Sequence, residues 1–120
     1  MIFGIGLDLV EIYRIEKILN RHHLKFPKRI LCGIEMDRFL LLQSASRSRF
    51  LAKRFAAKEA FAKAVGTGIG KFLKFRDIGV KNDELGAPHY FFVNKKVFEH
   101  LKKRDKNIVS HLSITDERTH

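Results

Sequence analysis

Residues 50–70 read FLAKRFAAKEAFAKAVGTGIG, and the fold turns on them. The stretch has no proline, six alanines and a Gly66-Thr67-Gly68 stop, which predicts a helix with a glycine C-terminal signal. At roughly 100° per residue, Phe50, Leu51, Phe55, Phe61 and Val65 share one arc of about 140°. Arg54 and Lys58 fall inside that arc, where a plain core helix carries aliphatic side chains. Ala52, Ala56, Ala60 and Ala64 form a second, thin-walled stripe that lets another backbone come close. Glu59 and Lys63, four residues apart, lie at one edge of it. Each charge has a bland reading. Glu59 and Lys63 would make a surface ion pair, and Arg54 and Lys58 would snorkel over the core's edge. All four charges and a glycine loop within one helix and its exit mark a candidate site.

At 120 residues and 14.0 kDa the chain reads as one domain, 1–120, burying on the order of two-thirds of its unfolded surface. Eleven Phe and no Trp predict a Phe-rich core. The single cysteine, Cys32, excludes an intrachain disulfide. No signal peptide and no run of 18 apolar residues appears, so no membrane partner is expected. Lys and Arg number 24 against 13 Asp and Glu, net +11. Such a surface attracts polyanions and acidic proteins, nucleic acid being the generic candidate.

Met1–Leu7 alternates as a strand, with Gly4 and Gly6 clearing space beside Asp8. Asp8 and Glu11 precede Ile12, Ile15, Ile18 and Leu19 at helical spacing, the pattern of an N-cap closed by a capping box. The helix, roughly Leu9–Arg21, carries Arg14, Lys17 and Arg21 away from its apolar stripe. His22–Lys28 reads as a basic loop broken at Pro27, Gly33–Leu42 as a short helix, and Gln43–Ser48 as a polar linker with Ser48 capping the central helix. Phe75–Lys81 and His89–Val93 read as strands of an antiparallel hairpin. Asn94 caps a helix through Lys103, with Val97, Phe98 and Leu101 inward, and Ile108–Ile114 is a last strand carrying His111. No i, i+4 histidine pair, CxxC, GxSxG, Walker A or GxGxxG pattern occurs. The GTG triplet either admits a phosphate or simply ends the helix.

RFAAKEAFAKAVGTGI, with MIFGIGLDLVEI at the start and HLSITDER near the end, resembles the holo-acyl-carrier-protein synthases, the small bacterial class of 4′-phosphopantetheinyl transferases. The three motifs stand in the family's order. The resemblance implies an α+β fold with a central helix packed beside a small antiparallel sheet, and a homotrimer with sites between subunits. It implies transfer of 4′-phosphopantetheine from coenzyme A to a serine of acyl carrier protein, in the cytoplasm. Coenzyme A and the acidic carrier are both partners that a basic surface suits. Asp8, in the family's GxDxxE motif, and Glu59 would hold Mg²⁺, and one carboxylate oxygen of Asp8 could still cap the helix. Glu59 would take the serine proton, directly or through a bound water, and Lys63 would reach the diphosphate. Arg54, Lys58, Lys63, Gly66, Thr67, Gly68 and His111 would bind coenzyme A; for His111 a hydrogen-bonded strand histidine stays open as the alternative. Arg14 and Arg21 would dock the carrier, and Arg29 matches the family's RIL arginine. Asp116 stands where some members have histidine. Members usually continue beyond the position of His120 with a short strand, without which a sheet edge is left open. The alternative from another class is a basic nucleic-acid-binding module, which needs exposed aromatics among its cations. Most Phe here lie at core spacing and no RNP, KH or C₂H₂ signature occurs, so no nucleic-acid partner is expected.

Overall fold

One long helix, α4 (Ser44–Ala64), carries the side chains of two hydrophobic cores. The computed structural model describes residues 9–22 and 24–104. The expected strands at 1–7 and 108–114, with Asp8 and His111, lie outside the described residues. Three helices precede α4: α1 (Leu9–His22), α2 (Lys25–Ile30) and α3 (Gly33–Leu41). A 3₁₀ turn at Phe75–Asp77, strands β1 (Ile78–Asn82) and β2 (Pro88–Phe92), and α5 (Lys95–Arg104) follow it. The described chain is thus mostly helical, with one two-stranded antiparallel sheet beside the central helix.

The first core joins α1, α2 and α3 to the N-terminal half of α4 through Ile15, Ile30, Leu31, Phe39, Leu51 and Ala52. The second joins the C-terminal half of α4 to the hairpin and α5 through Phe61, Ala62, Leu73, Ile78, Tyr90, Phe92 and Leu101. Apolar residues therefore occupy more of the α4 surface than one stripe would allow. Such a helix is stabilised mainly by burial rather than by propensity. The alanine stripe is graded along the helix: Ala52 is buried, Ala56 and Ala60 are half-buried, and Ala64 is exposed.

Three local expectations are corrected. The basic loop contains α2, because Pro27 falls in the first turn, where amide hydrogens have no intrahelical partner to lose. Gln43–Ser48 is not a linker. Helix α4 starts at Ser44, and Ser48 is buried inside it rather than capping it. Arg47 Nε and Nη2 donate to the Leu42 and Leu40 carbonyls, each at 3.1 Å, so this segment satisfies the C-terminal end of α3. The first hairpin strand begins at Ile78, since Asp77 ties back to Lys74 through N–H···O at 3.0 Å and accepts from Lys74 N at 2.8 Å.

The hairpin pairs Ile78 with Phe92 through Asn82 with Pro88. Its connection is closed by Asp83, whose Oδ1 accepts from Leu85 N and Ala87 N, each at 2.9 Å. Gly79 faces Phe91 across the pair, and a Cβ there would collide with the Phe91 ring. Asn94 caps α5 as expected, accepting from Lys96 N at 3.1 Å and Val97 N at 3.3 Å.

Candidate active site

The four charged residues expected on α4 separate into a buried pair and an exposed pair. Lys58 has no exposed surface and Arg54 is 7% exposed, whereas Glu59 and Lys63 are both exposed. Lys58 Nζ donates to Glu35 Oε1 at 2.6 Å, to Ile30 O at 2.7 Å and to Phe75 O at 3.1 Å. An ammonium has three donors, and all three are used. Lys58 was expected to contact coenzyme A; in this fold its ammonium is committed to the interior. Its desolvation is offset by a carboxylate and two carbonyls, as a buried charge requires. Burial is the largest influence on the Lys58 ammonium and lowers its pKa; the Glu35 carboxylate opposes that.

Arg54 stands between the interior and an open cleft. Its Nε lies 3.4 Å from Glu35 Oε2, close enough for an ion pair but without hydrogen-bond geometry, so this buried N–H has no acceptor. Its guanidinium carbon sits 4.6 Å from the Phe50 ring centre, a cation–π contact. Burial lowers the pKa of this group as well, with the Glu35 carboxylate acting against it. The cleft, about 660 Å³, is lined by the cations Arg38, Arg54 and Lys81 and by the carboxylates Glu35, Asp37 and Asp83. That Arg38 and Lys81 line one cleft was not legible in the sequence, because α3 and the hairpin meet only in the fold.

Among the described residues the side chains of Glu59 and Lys63 enter no ion pair or hydrogen bond, so they do not form the surface pair their spacing allows. They stand one turn apart on the last part of α4, free to act on a ligand. The helix ends directly after them. Gly66 N donates to Lys63 O at 3.1 Å and Gly68 N to Ala62 O at 3.0 Å. Gly66 and Gly68 have φ of 88° and 64°, the left-handed region that favours glycine. Nothing lies within 4 Å of where a Cβ would stand at either, so backbone conformation rather than crowding calls for glycine. Thr67 Oγ1 donates to Gly68 O at 2.8 Å, bracing the loop.

On α1, Arg14 and Arg21 are both exposed, while Ile15 is buried. Seven residues are close to two turns, so the two arginines share one side. No helix among the described residues is long and apolar enough to cross a membrane. No group of three or more His, Cys, Asp or Glu among the described residues is gathered to hold a metal. Glu59 nevertheless fits Mg²⁺ as a ligand: it is an exposed, uncommitted oxygen donor, the type this hard cation takes alongside substrate oxygens.

The family model for the 4′-phosphopantetheinyl transferase superfamily matches residues 4–116, and the chain belongs to that family. Within it the chain is similar to holo-[acyl-carrier-protein] synthases. It is 47% identical over 120 residues to that of Laribacter hongkongensis, covering 100% of this chain and 93% of the relative. The crystal structure of the Neisseria meningitidis enzyme superposes with a TM-score of 0.68 at 40% identity, covering 88% of this chain and 82% of the other. A Bacillus anthracis holo-(acyl-carrier-protein) synthase in complex with CoA (3′,5′-ADP) gives 0.59 at 50% identity, covering 75% of each chain.

Proposed function

We propose that this chain transfers 4′-phosphopantetheine from coenzyme A to a serine of apo-acyl carrier protein, releasing adenosine 3′,5′-bisphosphate. The observation that carries the reading is the pair Glu59 and Lys63, exposed and uncommitted at the glycine-ended exit of a helix that is otherwise largely buried. The serine oxygen attacks the phosphorus that bears pantetheine, and the bond to the nucleotide's 5′-phosphate oxygen breaks. This displacement needs an oriented nucleophile and neutralised phosphate oxygens rather than a covalent enzyme intermediate. Glu59 is the base for the serine proton. Lys63, one turn on, supplies positive charge to the diphosphate and to the leaving oxygen. Mg²⁺ held by Asp8 and Glu59 would add neutralising charge on the diphosphate. The Gly66–Gly68 loop gives the ligand room beside Lys63. The cleft beside Arg54 carries Arg38 and Lys81 but also Glu35, Asp37 and Asp83, so its charges balance, and Arg54 remains a proposed contact for the nucleotide phosphates. His111 remains a proposed nucleotide contact.

Arg14 and Arg21 give the acidic carrier a landing face on α1. We also propose that the chain works in the cytoplasm as a homotrimer with its sites between subunits. What supports assembly of copies is apolar surface at the cleft rim, where Ile34 is 71% and Leu41 86% exposed. Intact-mass measurement of apo-acyl carrier protein after incubation with this protein, coenzyme A and Mg²⁺ tests the reading. A phosphopantetheine mass gain on the serine is expected, and an unchanged carrier mass would overturn it.

A further inference from the structure

Glu35 is the one fully buried carboxylate among the described residues, and the reaction just described leaves it unused. Its Oε1 accepts from Cys32 N at 3.0 Å and from Lys58 Nζ at 2.6 Å. Its Oε2 accepts from Val80 N at 2.8 Å and faces Arg54 Nε at 3.4 Å. Lys58 extends the network to the Ile30 and Phe75 carbonyls. One ion pair thus ties the end of α2, the start of α3, the middle of α4, the 3₁₀ turn and β1. On α4 its residues Arg54 and Lys58 are interleaved with those of the two cores: Leu51, Ala52 and Phe55 pack in one, Ala57, Phe61 and Ala62 in the other.

Close apolar packing leaves a helix only small freedom to rotate or slide against its neighbours. Hydrogen bonds are directional and remove that freedom. Glu59 is the residue after Lys58, so any turn of α4 about its axis re-aims Glu59 and, with it, Lys63. We propose that Glu35 is a positioning residue for the phosphopantetheine transfer: through Lys58 it fixes the rotation and height of α4, and so the aim of Glu59 and Lys63. This rests on the transferase reading. A merely stabilising role is the competing account, and a buried ion pair is a weak device for stability, since apolar replacements often match it.

The test compares kcat, KM for carrier protein and urea midpoint for wild type, Glu35→Gln, Glu35→Asp and Leu101→Ala, each assayed where circular dichroism shows the variant folded. Glu35→Gln keeps the shape but points an amide N–H₂ at a donor; Glu35→Asp keeps the charge and withdraws it by one methylene. Leu101→Ala weakens the second core, where α5 packs, without touching the ion pair, and serves as the stability control. Misplacement by a fraction of an ångström should lower kcat about 30-fold in Glu35→Gln and about 10-fold in Glu35→Asp, with KM for carrier within about twofold. Leu101→Ala should lose urea midpoint and keep kcat within about twofold of wild type. If Glu35→Gln fails to fold, Glu35→Asp decides alone. Folded Glu35 variants with wild-type kcat, or a Leu101→Ala variant that loses as much kcat as they do, would overturn the proposal. A wild type that modifies no carrier defeats the transferase reading itself, which is a separate and visible outcome.

Discussion

The hydroxyl of Tyr90 donates to the main-chain carbonyl of Ala57 at 2.9 Å, so strand β2 grips α4 at the residue before Lys58. Tyr90 is 3% exposed, and burial pushes its phenol pKa up to about 12. Tyr90→Phe keeps the ring and loses the bond, and should cost about 1 kcal/mol in a urea titration at neutral pH. The sign reverses in alkali. The unfolded phenol ionises near its ordinary value of about 10, while the folded one holds its proton to about 12. Stability contributed by the neutral buried phenol is complete below about pH 10 and is lost as pH rises towards about 12. Wild type should therefore fall more steeply than Tyr90→Phe over that window, and parallel curves would refute the assignment.

Phe61 has no exposed surface and meets the rings of Tyr90 and Phe92 at 4.7 and 5.8 Å. Phe61→Ala should destabilise the protein by about 3–5 kcal/mol, read from the urea midpoint, because the packed hairpin cannot collapse fully onto the space left. A loss below about 1 kcal/mol would show that the second core is more pliant than its packing implies.

The Glu59 side chain is exposed and makes no hydrogen bond or ion pair among the described residues. Glu59→Gln should leave the urea midpoint within about 0.5 kcal/mol of wild type while lowering kcat by about 100-fold or more. Asp8→Asn keeps most of any capping ability and should lower kcat similarly, with a raised Mg²⁺ requirement. Near-normal turnover of Asp8→Asn at saturating Mg²⁺ removes Asp8 from the mechanism.

Arg14→Glu and Arg21→Glu should raise KM for carrier protein far more than KM for coenzyme A. The difference should shrink as ionic strength rises and the Debye length falls below about 10 Å. Steady-state kinetics at low and high salt check this, and equal effects on both substrates would place the carrier elsewhere.

Features that depend on neighbouring backbone chemistry were legible in the sequence. Asn94 caps α5 because its side chain reaches amides two and three residues on, and the positive φ of Gly66 and Gly68 follows from where the α4 pattern stops. The placement of Arg54 and Lys58 on the apolar arc was legible too, but not its meaning. Their partner Glu35 is 23 residues from Lys58, and it accepts from Val80, 45 residues away. No local spacing rule reaches that far. Glu35 offers one local signal, its position three residues after Cys32 at a helix start, which its bond to the Cys32 amide makes real. Helix α2 was hidden by Pro27, since a proline reads as a breaker unless its place in the first turn is known.

Cys32, the only cysteine, is 2% exposed and stands at the head of α3, its amide held by Glu35. Burial, followed by the Glu35 charge, pushes the thiol pKa up, so access and ionisation both protect it from alkylation. Native protein should therefore react with iodoacetamide only in moments when the α2–α3 junction opens. The labelling rate then becomes a clock for that opening, set into the chain at the point where its buried charges meet.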